Sequence, residues 1–159
     1  MIHVGLSEIK YAGRPETLRS LGLGSCVGIV IYSERLHLAA MAHVMLPDSA
    51  LARSDVFMPG KYADTAVPEL LRILKGRGLS TGELKAKMAG GAEMFKSVRT
   101  LPLGSIGKRN VEAVHRELRL LGIPVIGEET GANYGRTVEF STSTCLLRVR
   151  AINRDERMI

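Results

Sequence analysis

The sequence predicts an α+β fold: a layered α/β sandwich of mixed β-sheets with two main helices over one face. Three observations carry this. About six or seven short apolar runs read as strands, while only two stretches repeat at helical spacing. Hairpins are expected towards both ends of the chain, where paired apolar runs flank short polar turns. Strict strand–helix–strand alternation is missing, which argues for sheet packed on sheet.

Residues 2–10 alternate, with Ile2, Val4 and Leu6 on one side, and read as a first strand. Residues 11–17 hold Gly13 and Pro15 and read as a loop. Residues 18–24 lead through Gly22 and Gly24 into a strand over 26–32. There Val27, Ile29 and Ile31 share one face, and Cys26, Gly28, Val30 and Tyr32 share the other. Ser33, Glu34 and Arg35 form a polar turn before a strand over 38–45. Residues 46–60 make a long connection, the kind of loop that tends to be functional.

A helix is expected over 62–75, with Ala63, Ala66, Leu70, Ile73 and Leu74 as its buried stripe. Pro68 implies a kink, or a regular part that begins only a turn earlier. A strand over 84–89 stops at Gly90-Gly91, and residues 92–102 carry no clear pattern. A second helix over 108–121 places Val111, Val114, Leu118 and Leu121 at helical spacing, and Gly122 ends it. Strands over 124–128, 136–140 and 145–151 follow. One domain is expected over 1–159, with 152–159 a frayed charged tail.

Composition narrows the function. No run reaches the ~18 apolar residues of a membrane span, and residues 1–6 lack a signal-peptide pattern, so the reading is cytosolic. Cys26 and Cys145 are too few for a disulfide framework and are expected to be free thiols. The four histidines are scattered without zinc-site spacing, so no metal site is expected. The net charge of +6 suits an acidic partner. Basic residues form no block and aromatics are few, which disfavours nucleic acid. Gly22-Leu23-Gly24 precedes a strand and is no dinucleotide fingerprint.

Two residues stand out chemically. Cys26 follows a glycine-punctuated turn at the start of an apolar strand, the position of an accessible nucleophile; a structural cysteine is the alternative. His43 lies in the next strand on the face of Met41 and Met45, and is either a core histidine or a base for Cys26. Ser20, Asp48 and Asp64 are candidates to orient the imidazole. Cys145 alternates with Leu147 and Val149 and reads as core.

Several ordered segments are familiar. They are Leu21-Gly22-Leu23-Gly24-Ser25-Cys26, Ala42-His43-Val44-Met45-Leu46-Pro47-Asp48-Ser49, Lys61-Tyr62-Ala63-Asp64-Thr65-Ala66, Lys87-Met88-Ala89-Gly90-Gly91-Ala92, Ile106-Gly107-Lys108-Arg109-Asn110-Val111 and Glu128-Glu129-Thr130-Gly131. Together they resemble the CheD family of chemoreceptor glutamine deamidases. The resemblance implies a toxin-deamidase-like sandwich, Cys26 as nucleophile and His43 as base. Ser20 stands where the family usually has threonine, as the third member. It implies conversion of glutamine side chains on chemoreceptor cytoplasmic helices to glutamate through a cysteine thioester, with no organic cofactor. A methylesterase side activity and a CheC-type phosphatase as regulatory partner are implied too. Phe95 is a candidate anchor for that partner, with a core role as the alternative.

Overall fold

The computed structural model describes residues 1–94 and 105–159. Its strands are β1 (Ile2–His3), β2 (Ile9–Gly13), β3 (Thr17–Leu23), β4 (Val27–Ser33), β5 (Leu38–Val44), β6 (Leu84–Gly90), β7 (Val125–Thr130), β8 (Arg136–Ser141), β9 (Leu146–Arg150) and β10 (Arg157–Met158). Its α-helices are α1 (Ala63–Lys75) and α2 (Ile106–Leu121). The strands form two five-stranded sheets, in orders β2-β5-β4-β6-β7 and β1-β3-β8-β9-β10. Both are mixed: β6 runs parallel to β7 and β1 parallel to β3, while the other pairs are antiparallel. The expected α+β sandwich of mixed sheets, with both helices over one face, is what the structure shows.

Alternation along the central strands builds three layers. Val27, Ile29 and Ile31 of β4, with Ala40, Ala42 and Val44 of β5, face α1 and α2 and meet Val67, Leu70, Leu74, Val114 and Leu118. The intervening residues Val30, Tyr32, Ala39 and Met41 face the second sheet and meet Leu18, Leu23, Val138, Phe140, Leu147 and Val149. The period of two along a strand makes this division obligatory once both faces are covered. Tyr32 and Phe140 join the sheets through rings whose centroids lie 5.0 Å apart. A buried ion pair, Glu129 of β7 with Arg136 of β8, joins them at another point.

The ends of the helices follow local chemistry. The Ser105 hydroxyl accepts from the Lys108 N–H to cap α2, and Gly122, at φ 72°, closes its other end. The helix α1 begins at Ala63, five residues before Pro68, and runs through it. Pro68 lies on the exposed side, where the missing N–H leaves an acceptor to water.

Four expectations are corrected. Residues 2–10 are not one strand: the chain leaves β1 after His3, reverses at Ser7 (φ 63°) and re-enters a different sheet as β2. Part of the expected loop over 11–17 therefore belongs to β2, which pairs with β5 through Gly13. The tail over 152–159 does not fray. Arg157 and Met158 pair with β9, Ile159 exchanges both backbone bonds with Leu147, and Lys87 Nζ donates to the Ile159 carbonyl at 2.9 Å. Cys145 is buried in the inter-sheet core, as expected, but from a turn with φ 58° and not from within β9.

Candidate active site

The loop that carries Cys26 starts inside β3. Its pairing with β8 is regular from Thr17 to Ser20, then slips, so that Leu21 and Gly22 oppose Thr137 alone before Leu23 rejoins Arg136. This is a β-bulge, and Gly22 at φ 66° takes the left-handed conformation it needs. The chain then passes from the second sheet to the first and enters β4 at Val27, leaving Cys26 half-buried at the strand's mouth. Gly90 must be glycine for this approach, because a Cβ there would lie 2.2 Å from the Cys26 carbonyl oxygen. The Cys26 carbonyl accepts from Gly91 N–H at 2.8 Å, and the Gly24 carbonyl from Ala92 N–H at 2.8 Å.

His43 is buried on β5, directly opposite Gly28 of β4. Cys26 precedes Gly28 by two residues, so thiol and imidazole share the inter-sheet face of neighbouring strands, as diagonal partners. Gly28 leaves room there for Leu23, whose Cδ1 would lie 3.0 Å from a Cβ at that position. No hydrogen bond joins thiol and ring in this resting arrangement. His43 Nε2 has no partner among the described residues.

Ser20 reaches the ring from the other sheet. Its Oγ lies 2.8 Å from His43 Nδ1 and 2.9 Å from the Val4 carbonyl oxygen. A serine hydroxyl carries one proton, and a carbonyl only accepts. The hydroxyl therefore donates to Val4 and accepts from Nδ1–H. This fixes the neutral tautomer with its free lone pair on Nε2, which a general base for Cys26 requires. The backbone of His43 is held as well, by Ser7 N–H to its carbonyl and by its own N–H to the Glu8 carbonyl.

Burial pushes the His43 imidazole below its ordinary value, opposed in part by the Val4 carbonyl. Burial likewise pushes the Cys26 thiol up. Both shifts favour the neutral forms, thiol and imidazole, over the charged ones.

The other candidates lie elsewhere. Asp64 accepts from the backbone N–H and hydroxyl of Ser49, and Asp48 caps the short turn over Ser49–Leu51, so neither orients the ring. His37 contacts the Thr142 carbonyl and Arg14, and His115 pairs with Glu128. Phe95 lies outside the described residues. Two participants escaped sequence reading. Val4 supplies a carbonyl from a segment remote in the chain. Asn110 of α2 is fully buried and donates through Nδ2 to the carbonyls of Ser25, at 2.9 Å, and Met45, at 3.0 Å. Its signal was available: Gly107, Asn110, Val114 and Leu118 form one helical stripe, and Asn110 is its polar member.

Among the described residues, no helix is long and apolar enough to cross a membrane. Comparison with known proteins matches residues 45–151 to the family model described as CheD chemotactic sensory transduction. The chain is 45% identical over its whole length to the chemoreceptor glutamine deamidase CheD of Bacillus subtilis strain 168, covering 96% of that protein. It is equally similar, at 45% over the whole chain and 98% of the relative, to the CheD of Halalkalibacterium halodurans. The probable CheD of Lachnoclostridium phytofermentans is 40% identical over the same span. The family model begins just past His43, but these relatives align across the loop and strand that carry Cys26 and His43 as well. On the strength of both matches, the chain belongs to the CheD family.

Proposed function

We propose that residues 1–159 act as a single cysteine amidohydrolase domain that converts glutamine side chains of chemoreceptor cytoplasmic helices to glutamate. The observation that carries this is the Ser20–His43 pair: a buried imidazole in one fixed tautomer, its unpartnered Nε2 on the face that also bears Cys26. The substrate class rests on the relatives, which are named as chemoreceptor glutamine deamidases.

The mechanism follows from these groups. As Cys26 Sγ attacks the amide carbon, its proton passes to His43 Nε2 and the carbonyl π pair moves onto oxygen. The backbone N–H of Cys26, which no described group accepts from, is the donor assigned to that oxyanion. Collapse of the tetrahedral adduct breaks the C–N bond, and the proton on Nε2 leaves with ammonia. Water then attacks the thioester as Nε2 takes its proton. The second collapse returns that proton to Sγ and releases the side chain as glutamate. Nδ1 keeps its proton throughout, held by Ser20. The same steps with methanol as leaving group would open a glutamyl methyl ester. Regulation by a CheC-type phosphatase, with Phe95 as contact, is supported by the family resemblance alone. Action in the cytoplasm follows from the receptor region proposed as substrate.

The test is incubation of a receptor cytoplasmic fragment with wild type and with Cys26→Ala, followed by peptide mass measurement. Wild type is expected to convert glutamine to glutamate and the variant not to. Undiminished conversion by Cys26→Ala would remove the nucleophile; no conversion by wild type would favour a non-enzymatic binding module.

A further inference from the structure

We propose that Asn110 is a positioning residue that aims the Cys26 N–H at the developing oxyanion by gripping the carbonyl of the same peptide unit. The inference rests on the deamidase reading above. The Ser25–Cys26 peptide is trans and planar, so its C=O and N–H point in opposite directions. Fixing the Ser25 carbonyl therefore fixes the direction of the Cys26 N–H. Three successive carbonyls of the nucleophile loop are held, those of Gly24, Ser25 and Cys26. The outer two are held by the backbone of Ala92 and Gly91. The middle one, which belongs to the donor peptide, is held by the Asn110 side chain.

The second Nδ2 hydrogen bond goes to the Met45 carbonyl, two residues beyond His43. One amide thus spans the segments that carry the nucleophile and the base. Its orientation is unambiguous, because a flipped amide would set Oδ1 against two carbonyl oxygens. The consequence is that Oδ1 is buried with no partner among the described residues. An unsatisfied buried acceptor costs stability that an apolar side chain would not lose. On a stripe otherwise made of Gly107, Val114 and Leu118, asparagine is poorly suited to packing alone. It is well suited to supplying two donors from one rigid group.

The experiment compares wild type, Asn110→Ala and the isosteric Asn110→Asp in two reactions of Cys26. Deamidation builds an oxyanion; alkylation by iodoacetamide, a displacement at saturated carbon, does not. Both variants are expected to lose about 100-fold in kcat for deamidation, the loss typical of one oxyanion donor. KM and the alkylation rate should stay near wild type. A folded Asn110→Ala variant that deamidates at the wild-type rate overturns the proposal. So does a parallel fall in both reactions, which marks collapse of the loop and not misdirection of one N–H.

Should both variants fail to fold, the wild type carries the test. A receptor peptide with the target amide replaced by an aldehyde forms a hemithioacetal on Cys26. The Cys26 amide proton should then move downfield by NMR, and an unmoved resonance overturns the proposal. Wild-type inactivity on receptor glutamines removes the deamidase reading and this inference with it. Activity matched by the variant removes only the role of Asn110.

Discussion

Replacing Ser20 with alanine removes one atom that does two jobs. The Oγ accepts from His43 Nδ1–H at 2.8 Å and donates to the Val4 carbonyl at 2.9 Å, and the side chain is fully buried. Loss of two net hydrogen bonds costs about 1–3 kcal/mol of stability, at the usual 0.5–1.5 kcal/mol each. The kinetic effect is separate. The ring keeps its place in β5, but nothing from β3 selects the Nδ1–H tautomer or its angle. An orienting bond of about 1.4–2 kcal/mol lost from the transition state lowers kcat about 10–30-fold. KM should change less than about twofold, because Ser20 acts through the ring and not on substrate. Ser20→Thr keeps the hydroxyl and should keep most of the activity. The assay is glutamine-to-glutamate conversion on a receptor fragment, followed by mass, with urea unfolding of each variant in parallel. A Ser20→Ala protein with wild-type kcat would refute the assignment of proton positions around His43.

Further predictions concern pH and packing. The imidazole must be free to act as base, so kcat/KM should rise with pH through an apparent pKa below the ordinary histidine value of about 6.5; a rising limb above it would contradict the burial of His43. The same shift has a stability counterpart. The unfolded chain takes up the His43 proton first as pH falls, so this contribution is complete above about pH 6.5 and is lost as pH drops towards the folded value, readable from urea midpoints. Alkylation of Cys26 should climb with pH beyond the range of an ordinary thiol, because burial disfavours the thiolate; a plateau at neutral pH would indicate a preformed ion pair. Glu129→Gln leaves Arg136 charged and buried between the sheets, at a cost of about 3–5 kcal/mol by urea unfolding, and a loss under 1 kcal/mol would contradict the burial of the pair.

What was legible in the sequence follows the range of the interactions. The faces of β4 and β5 were readable, because alternation is a local property and both faces are buried. That reading placed Cys26 with Val30 and Tyr32, and His43 with Met41, but which faces of the two strands coincide was decided only by their register. The hairpins were legible for the same reason. The first strands were misread because β1 and β2, close in sequence, belong to different sheets, and only pairing with β3 and β5 decides that. Its place on the turn before Cys26 made Ser20 one candidate beside Asp48 and Asp64, and only the family resemblance singled it out. Its strand pairs with β8, more than a hundred residues away, and no local signal announces that it faces His43. Asn110 could have been suspected, as a polar side chain on an apolar helical stripe. Its partners could not, because both are backbone carbonyls outside its own helix.

The proposed catalytic set is divided between the two layers. Ser20 belongs to the outer sheet, whereas His43 and the strand that Cys26 enters belong to the helix-covered one. The seam between the layers is thus crossed by the bond that orients the ring. Separation of the sheets by about half an ångström along this bond would stretch it from 2.8 Å to about 3.3 Å, past good hydrogen-bond length, without disturbing either sheet internally. Tyr32 and Phe140 join the same two sheets, so mutations that loosen their contact should weaken the orienting bond as well as lower the unfolding midpoint.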